Sequence, residues 1–131
     1  MTNEQKQDLI QYRFANAKRT LAEVDVLIQN NLCNTAVNRL YYACFYAVSA
    51  LLLHNDINTR THSGAIQMFG QHFINKGIIT EAAGNFYTKI FTMRRKSDYE
   101  DYIDYNQEEV LILIAPAQEL IGQIEEILFK Q

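Results

Sequence analysis

The sequence predicts an all-α fold: an up-and-down bundle of four to five helices, the last of them kinked at Pro116. Three observations carry this. Apolar residues recur at spacings of three and four along almost the whole chain, the mark of helices buried along one face. With one proline and five glycines in 131 residues, the chain has few places to break a helix. No two alternating runs are joined by a two-residue turn, so no strand hairpin is indicated. Residues 1–131 read as a single helical domain, long enough to bury a core without disulfides or metal.

The first helix carries Ile10, Phe14, Ala17, Leu21, Val24 and Ile28 on one stripe and fades at Asn30, Asn31 and Asn34, which supply turn and cap chemistry. The second, "TAVNRLYYACFYAVSALLLH", has two stripes. Val37, Leu40, Tyr41, Cys44, Phe45, Val48, Leu51 and Leu52 form one, and Ala36, Ala43, Ala47 and Ala50 form the other. A helix apolar on both sides belongs at the centre of a bundle or on a dimer seam. Its only charge between Thr35 and Leu53 is Arg39, and a half-buried guanidinium calls for an anionic partner; Asp98 is the acid expected to form that ion pair. After the loop "NDINTRTHSG", Thr61 or Ser63 caps a third helix with Ile66, Phe69 and Phe73, ending at Lys76-Gly77. Thr80 caps a fourth with Ala83, Phe86, Ile90 and Met93 inward. Asn106 and Glu109 have the spacing of a capping box, which starts a fifth helix. Its stripe is Val110, Leu113, Ala117, Leu120, Ile124 and Leu128, and Pro116 within it predicts the kink.

The formal charge of −3 argues against a broad polyanion-binding surface, but the charge is unevenly placed. Residues 57–96 hold six basic residues against one acid, a net +5; residues 97–131 hold nine acids against Lys130, a net −8. Complementary neighbouring helices explain this, and so does a local phosphate site on the basic segment. Two cysteines, Cys33 and Cys44, fit a reducing compartment and core positions. The polar N-terminus is not a signal peptide, and no run of about 18 apolar residues indicates a membrane span. A cytoplasmic protein is expected.

Familiar catalytic arrangements are missing. His54, His62 and His72 have no metal-ligand spacing, and there is no phosphate-binding glycine loop or nucleophile elbow. Neither a metal nor a cofactor is expected. The stretch "FTMRRKSDYEDYIDYNQEE" stands out. If its helix persists, Arg95, Tyr99 and Tyr102 share one face, where a guanidinium and phenols could hold a phosphodiester and move a proton, as in metal-free ribonucleases. The alternative is a solvated helix end, with intrahelical ion pairs and half-buried tyrosines.

Three motifs, "AVNRLYYACFYAV", "THSG" and "RRKSDY", resemble in order and spacing the stand-alone bacterial HEPN proteins (higher eukaryotes and prokaryotes nucleotide-binding) over about Tyr12 to Leu128. The resemblance implies a homodimeric bundle of four to five helices. It also implies a toxin–antitoxin partnership with a small nucleotidyltransferase, and binding of nucleotide or RNA. Catalytic members are metal-independent RNases with an Arg-x4–6-His motif paired across the dimer, and in some a tyrosine after that histidine is nucleotidylated by the partner. Carried over, Arg94 or Arg95 matches the motif arginine, Arg39 the polar position of the second helix that faces the motif, and His62 the histidine at the third helix. The motif histidine is absent, and Tyr99 or Tyr102 stands in its neighbourhood. A phenol with a pKa of about 10 is a poor general base. The implied reading is a dimeric nucleotide- or RNA-binding component without strong catalysis. The alternative is an RNase using Arg95 with Tyr99 and Tyr102.

Overall fold

A computed structural model describes residues 1–130 of the chain. Five α-helices, a short π-helical turn and no strand account for the described residues: α1 (Asn3–Gln29), α2 (Cys33–His54), α3 (His62–Phe69), the π-turn (Gly70–Ile74), α4 (Glu81–Tyr99) and α5 (Gln107–Phe129). The all-α bundle expected from periodicity is the observed one.

Local chemistry sets most helix starts. Thr2 and Gln5 form a capping box at α1, so that helix begins well before its apolar stripe. Thr61 accepts from Gly64 N at α3, and Thr80 accepts from Ala83 N at α4. Asn106 and Glu109 cap α5 reciprocally, as their spacing predicts. The third helix does not continue regularly to Lys76; it widens into the π-turn after Phe69. Gly77, at φ +72°, then closes the segment, with Ile78 N bonded to Phe73 O at 2.9 Å, the pattern of a helix that ends on a left-handed glycine. Gly84 serves a different need. A Cβ there would stand 2.9 Å from Ile74 Cγ1, so glycine lets α4 approach the π-turn closely.

Helix α2 packs against α1, α3, α4 and α5. Its small residues Ala36, Ala43, Ala47 and Ala50 and its large ones Leu40, Tyr41, Val48 and Leu51 are all buried. This is the central helix its double stripe predicts. By length and composition alone it could also cross a membrane, which no contiguous apolar run had suggested; here it forms the middle of the bundle. Helix α5 runs unbroken through Pro116, whose ring removes the bond to the carbonyl of the exposed Ile112.

Candidate functional site

Helices α2 and α4 and the start of α3 meet along an aromatic layer. Tyr41 and Tyr42 are adjacent on α2, so their side chains diverge by roughly 100° around the helix axis. Tyr41 is fully buried, and Tyr42 stays half exposed at the edge. Capping by Thr61 fixes the first turn of α3 and brings His62 against α2. Its ring centroid lies 4.5 Å from that of Phe45, and its Nδ1 is 2.6 Å from the Tyr41 hydroxyl. From α4, Tyr87 stacks on Tyr41 at 6.1 Å with rings 5° from parallel, and Phe91 meets Tyr41 at 5.7 Å.

One turn further along α4, Arg94 enters this layer at only 8% exposure. Its guanidinium carbon lies 4.7 Å from the Tyr41 ring centroid, 5.5 Å from Tyr42 and 5.8 Å from Phe91. Aromatic faces are among the few apolar surfaces that attract a desolvated cation. Its Nη1 donates to Asp98 Oδ2 at 3.3 Å, one turn along the same helix, and its Nε is buried without a hydrogen-bond partner. Arg95, next in sequence, is exposed. It lies over Phe91 and Tyr99 at 5.6 and 6.0 Å and has no ion pair among the described residues.

Together these groups line an open cleft of about 420 Å³, formed by Tyr42, His62, Ser63, Phe91, Arg94, Arg95 and Tyr99. Burial, and then the Arg94 charge, hold His62 below its ordinary pKa, so the imidazole is neutral at pH 7. Burial raises the Tyr41 and Tyr87 hydroxyls far above the ordinary phenol range, so both keep their protons. Cys44 is fully buried and its thiol is pushed up to about 12, which makes it an inert core residue. The cleft thus offers cationic guanidiniums, a neutral imidazole, phenols and a serine hydroxyl. That set suits an oxyanion better than a metal. A larger groove of about 540 Å³ lies between α1 and the end of α2; its single arginine, Arg13, donates to Ser49 O at 3.4 Å, and its lining mixes apolar residues with Asn16, Ser49, Asn58 and Thr59.

Of the residues singled out from the sequence, the structure brings Arg94, Arg95, His62 and Tyr99 together. Two expectations need correction. Asp98 pairs with Arg94, not with Arg39. Arg94 sits one helical turn from Asp98, whereas Arg39 is only half buried and rests on the Tyr42 ring at 5.4 Å, its Nε unpartnered. Tyr102 shares no helix face with Arg95, because α4 stops at Tyr99. Acidic residues crowd that end, where the helix dipole disfavours negative charge, and Tyr102 projects fully exposed from a turn at φ +65°.

The following loop is held from both sides. Asn34 Nδ2 donates to Ile103 O at 2.8 Å and Asn34 Oδ1 accepts from Tyr105 N at 3.0 Å, while the Tyr105 hydroxyl donates to Met93 O at 2.9 Å. Asn34 therefore clamps a distant loop; the residue at the N-cap of α2 is Leu32, with no side-chain cap. Sequence reasoning passed over Tyr42, Phe91 and Ser63 as site residues. A usable signal was Phe91 four residues before Arg95, the spacing at which a ring and a guanidinium stack along a helix.

A bundle whose central helix carries Tyr41 and Tyr42 beneath an arginine from the fourth helix defines a helical domain with a cationic, aromatic-lined cleft. The HEPN domain matches residues 10–127, and the chain belongs to the HEPN family. It is 33% identical over 124 residues to a UPF0332 protein of Thermotoga maritima, covering 95% of this chain and 94% of that protein. It is 34% identical over 128 residues to a Methanocaldococcus jannaschii protein named "Putative toxin MJ0605", covering 98% and 95% of the two. A second toxin-named protein of that organism is 32% identical over 98 residues, covering 75% of this chain and 67% of its own length.

Proposed function

We propose that this chain is the toxin-type component of a two-protein system, acting in the cytoplasm as a homodimer that binds nucleotide or RNA phosphates in the α2–α3–α4 cleft, with little cleavage of its own. The observation that carries the reading is the pairing of an anchored Arg94 with an exposed Arg95, without an ion pair among the described residues, beside His62 on a protein of net negative charge. A rigid cation beside a free one makes a focused anion site without a broadly basic surface. The toxin-named relatives support the biological setting. A nucleotidyltransferase is the expected partner, and Tyr99 and Tyr102, 76% and 102% exposed, are open to it. The dimer seam is assigned to the half-exposed row Tyr42, Phe45 and Tyr46 with the end of α4.

AMP titration at low salt tests the site. Wild type binds and weakens as salt rises, and Arg95→Ala loses about tenfold or more in affinity, the worth of one charge-assisted hydrogen bond. Equal binding by both proteins removes the site. Light scattering that reports a monomer at tens of micromolar removes the dimer.

A second reading, a metal-independent RNase, draws on His62, which lies in the cleft although no histidine follows the arginines in sequence. Cleavage of RNA in the presence of chelator, abolished by Arg95→Ala and by His62→Ala, would favour it.

A further inference from the structure

We infer that Tyr41 is a positioning residue: its buried hydroxyl fixes His62 in the tautomer that carries its proton on Nε2, so that His62 enters the cleft as a neutral hydrogen-bond donor to an oxyanion. The inference rests on the phosphate reading of the cleft and deepens it, since it assigns the histidine the role of ligand donor and excludes that of resting base.

The geometry leaves the Tyr41–His62 contact two ways to place a proton. At 2.6 Å, either the phenol donates to Nδ1 or Nδ1–H donates to the phenol oxygen. Tyr41 is fully buried; His62 Nδ1 is its close hydrogen-bond partner, and the buried Tyr87 hydroxyl is the other polar group that acts on its phenol. If Nδ1 carried the hydrogen, the phenol O–H could turn only to the Tyr87 oxygen, and the buried Tyr87 O–H would then be left without an acceptor; an unsatisfied buried donor is heavily penalised. If the phenol donates, Nδ1 is satisfied and only a phenol lone pair goes unused. Burial keeps the phenol protonated, as this arrangement requires. The doubly protonated imidazolium would reverse the bond, and both burial and the charge of Arg94 oppose it. The charged and titratable groups around His62 are Tyr41 and Tyr42 from α2 and Arg94, Arg95 and Tyr99 from α4, with no carboxylate lining the cleft to stabilise an imidazolium. The neutral ring with hydrogen on Nε2 therefore follows. His62 lines the cleft, and a donor there adds to the guanidiniums without adding charge.

The test reads the tautomer directly and without ligand. Long-range proton–nitrogen NMR on protein with ¹⁵N-labelled histidine, with His62 assigned by its loss in His62→Gln, should show Nδ1 unprotonated and Nε2 protonated at pH 8. Tyr41→Phe, which removes one oxygen and keeps the ring, should abolish this preference. In AMP titrations, Tyr41→Phe should bind several-fold more weakly. His62→Ala should lose about tenfold, while His62→Gln, whose amide donates from the Nε2 position, should recover most of that loss. A wild-type Nδ1 that carries the proton overturns the inference, as does a tautomer unmoved by Tyr41→Phe. Equal loss in His62→Gln and His62→Ala overturns the donor role. A wild type with the expected tautomer that binds no AMP contradicts the phosphate reading, and the donor role falls with it; the tautomer result tells that failure apart from a failure of Tyr41.

Discussion

Helix α2 borders two unlike neighbourhoods. Toward α1 and α5 lie aliphatic and small residues, with Ile10, Ala17, Val24, Val110, Leu113, Leu120 and Ile124 all at 2% exposure or less. Toward α3 and α4 lie Tyr41, Tyr42, Phe45, Tyr87, Phe91 and Phe69, with an arginine and a histidine among them. Among the described residues, the buried side-chain polar atoms without a hydrogen-bond partner, Arg39 Nε, Tyr87 Oη and Arg94 Nε, belong to this second side. The first side is built for stability. The second side leaves those side-chain atoms without hydrogen bonds and holds a cation against aromatic faces, and it is the side on which the proposed anion site lies.

Substitutions should separate the two. Ile124→Ala, on the aliphatic side, should destabilise by about 2–5 kcal/mol in urea unfolding through the cavity it leaves, with AMP affinity unchanged for the folded fraction. Arg94→Met, on the aromatic side, should do the opposite. AMP binding falls by about tenfold or more, while stability holds or rises, because an apolar chain fills the layer without desolvated charge and Asp98 is exposed enough to be hydrated. A large loss of stability in Arg94→Met would show that the cation–aromatic layer is structural. Asn34→Ala removes both of that side chain's bonds to the loop before α5 and should cost about 1–2 kcal/mol, with faster amide exchange at residues 103–105. Tyr87→Phe removes a hydroxyl that is buried without a partner, so thermal unfolding should shift upward or not at all, by at most about 1 kcal/mol.

The smallest effect expected is a pH dependence. The pKa of His62 is lower in the fold than its unfolded value of about 6.5, so the unfolded chain binds more protons in that range. The stability from keeping His62 neutral is complete above about 6.5 and is lost as pH falls through the folded value. His62→Gln should flatten that slope below about pH 6.5.

The fold was legible because helical periodicity and caps are local. Thr80, Asn106 with Glu109, and the double stripe of α2 each specify their own element. The site was legible only in part. Arg94, Arg95, His62 and Tyr99 could be named from the order of motifs. Their partners depend on how α3 and α4 seat on α2, which no spacing encodes. Arg39 stood alone among uncharged residues and invited a pairing with Asp98, but a cation can rest on an aromatic face, and Tyr42 supplies one. Tyr102 had the right spacing for a continuous helix, and the helix ended first. Asn34 looked like a cap and proved to be a clamp on a distant loop.

The central claim is that the aromatic side holds an anion and the rest supports it. Mapping AMP onto the protein by amide and side-chain NMR shifts tests it most directly. Shifts should concentrate on Tyr42, His62, Ser63, Phe91, Arg95 and Tyr99, fade with added salt and need about tenfold more AMP to reach the same size in Arg95→Ala. Shifts that gather instead at Tyr12, Arg13 and Tyr46 in the larger groove, or that titrate equally in Arg95→Ala, would contradict the account.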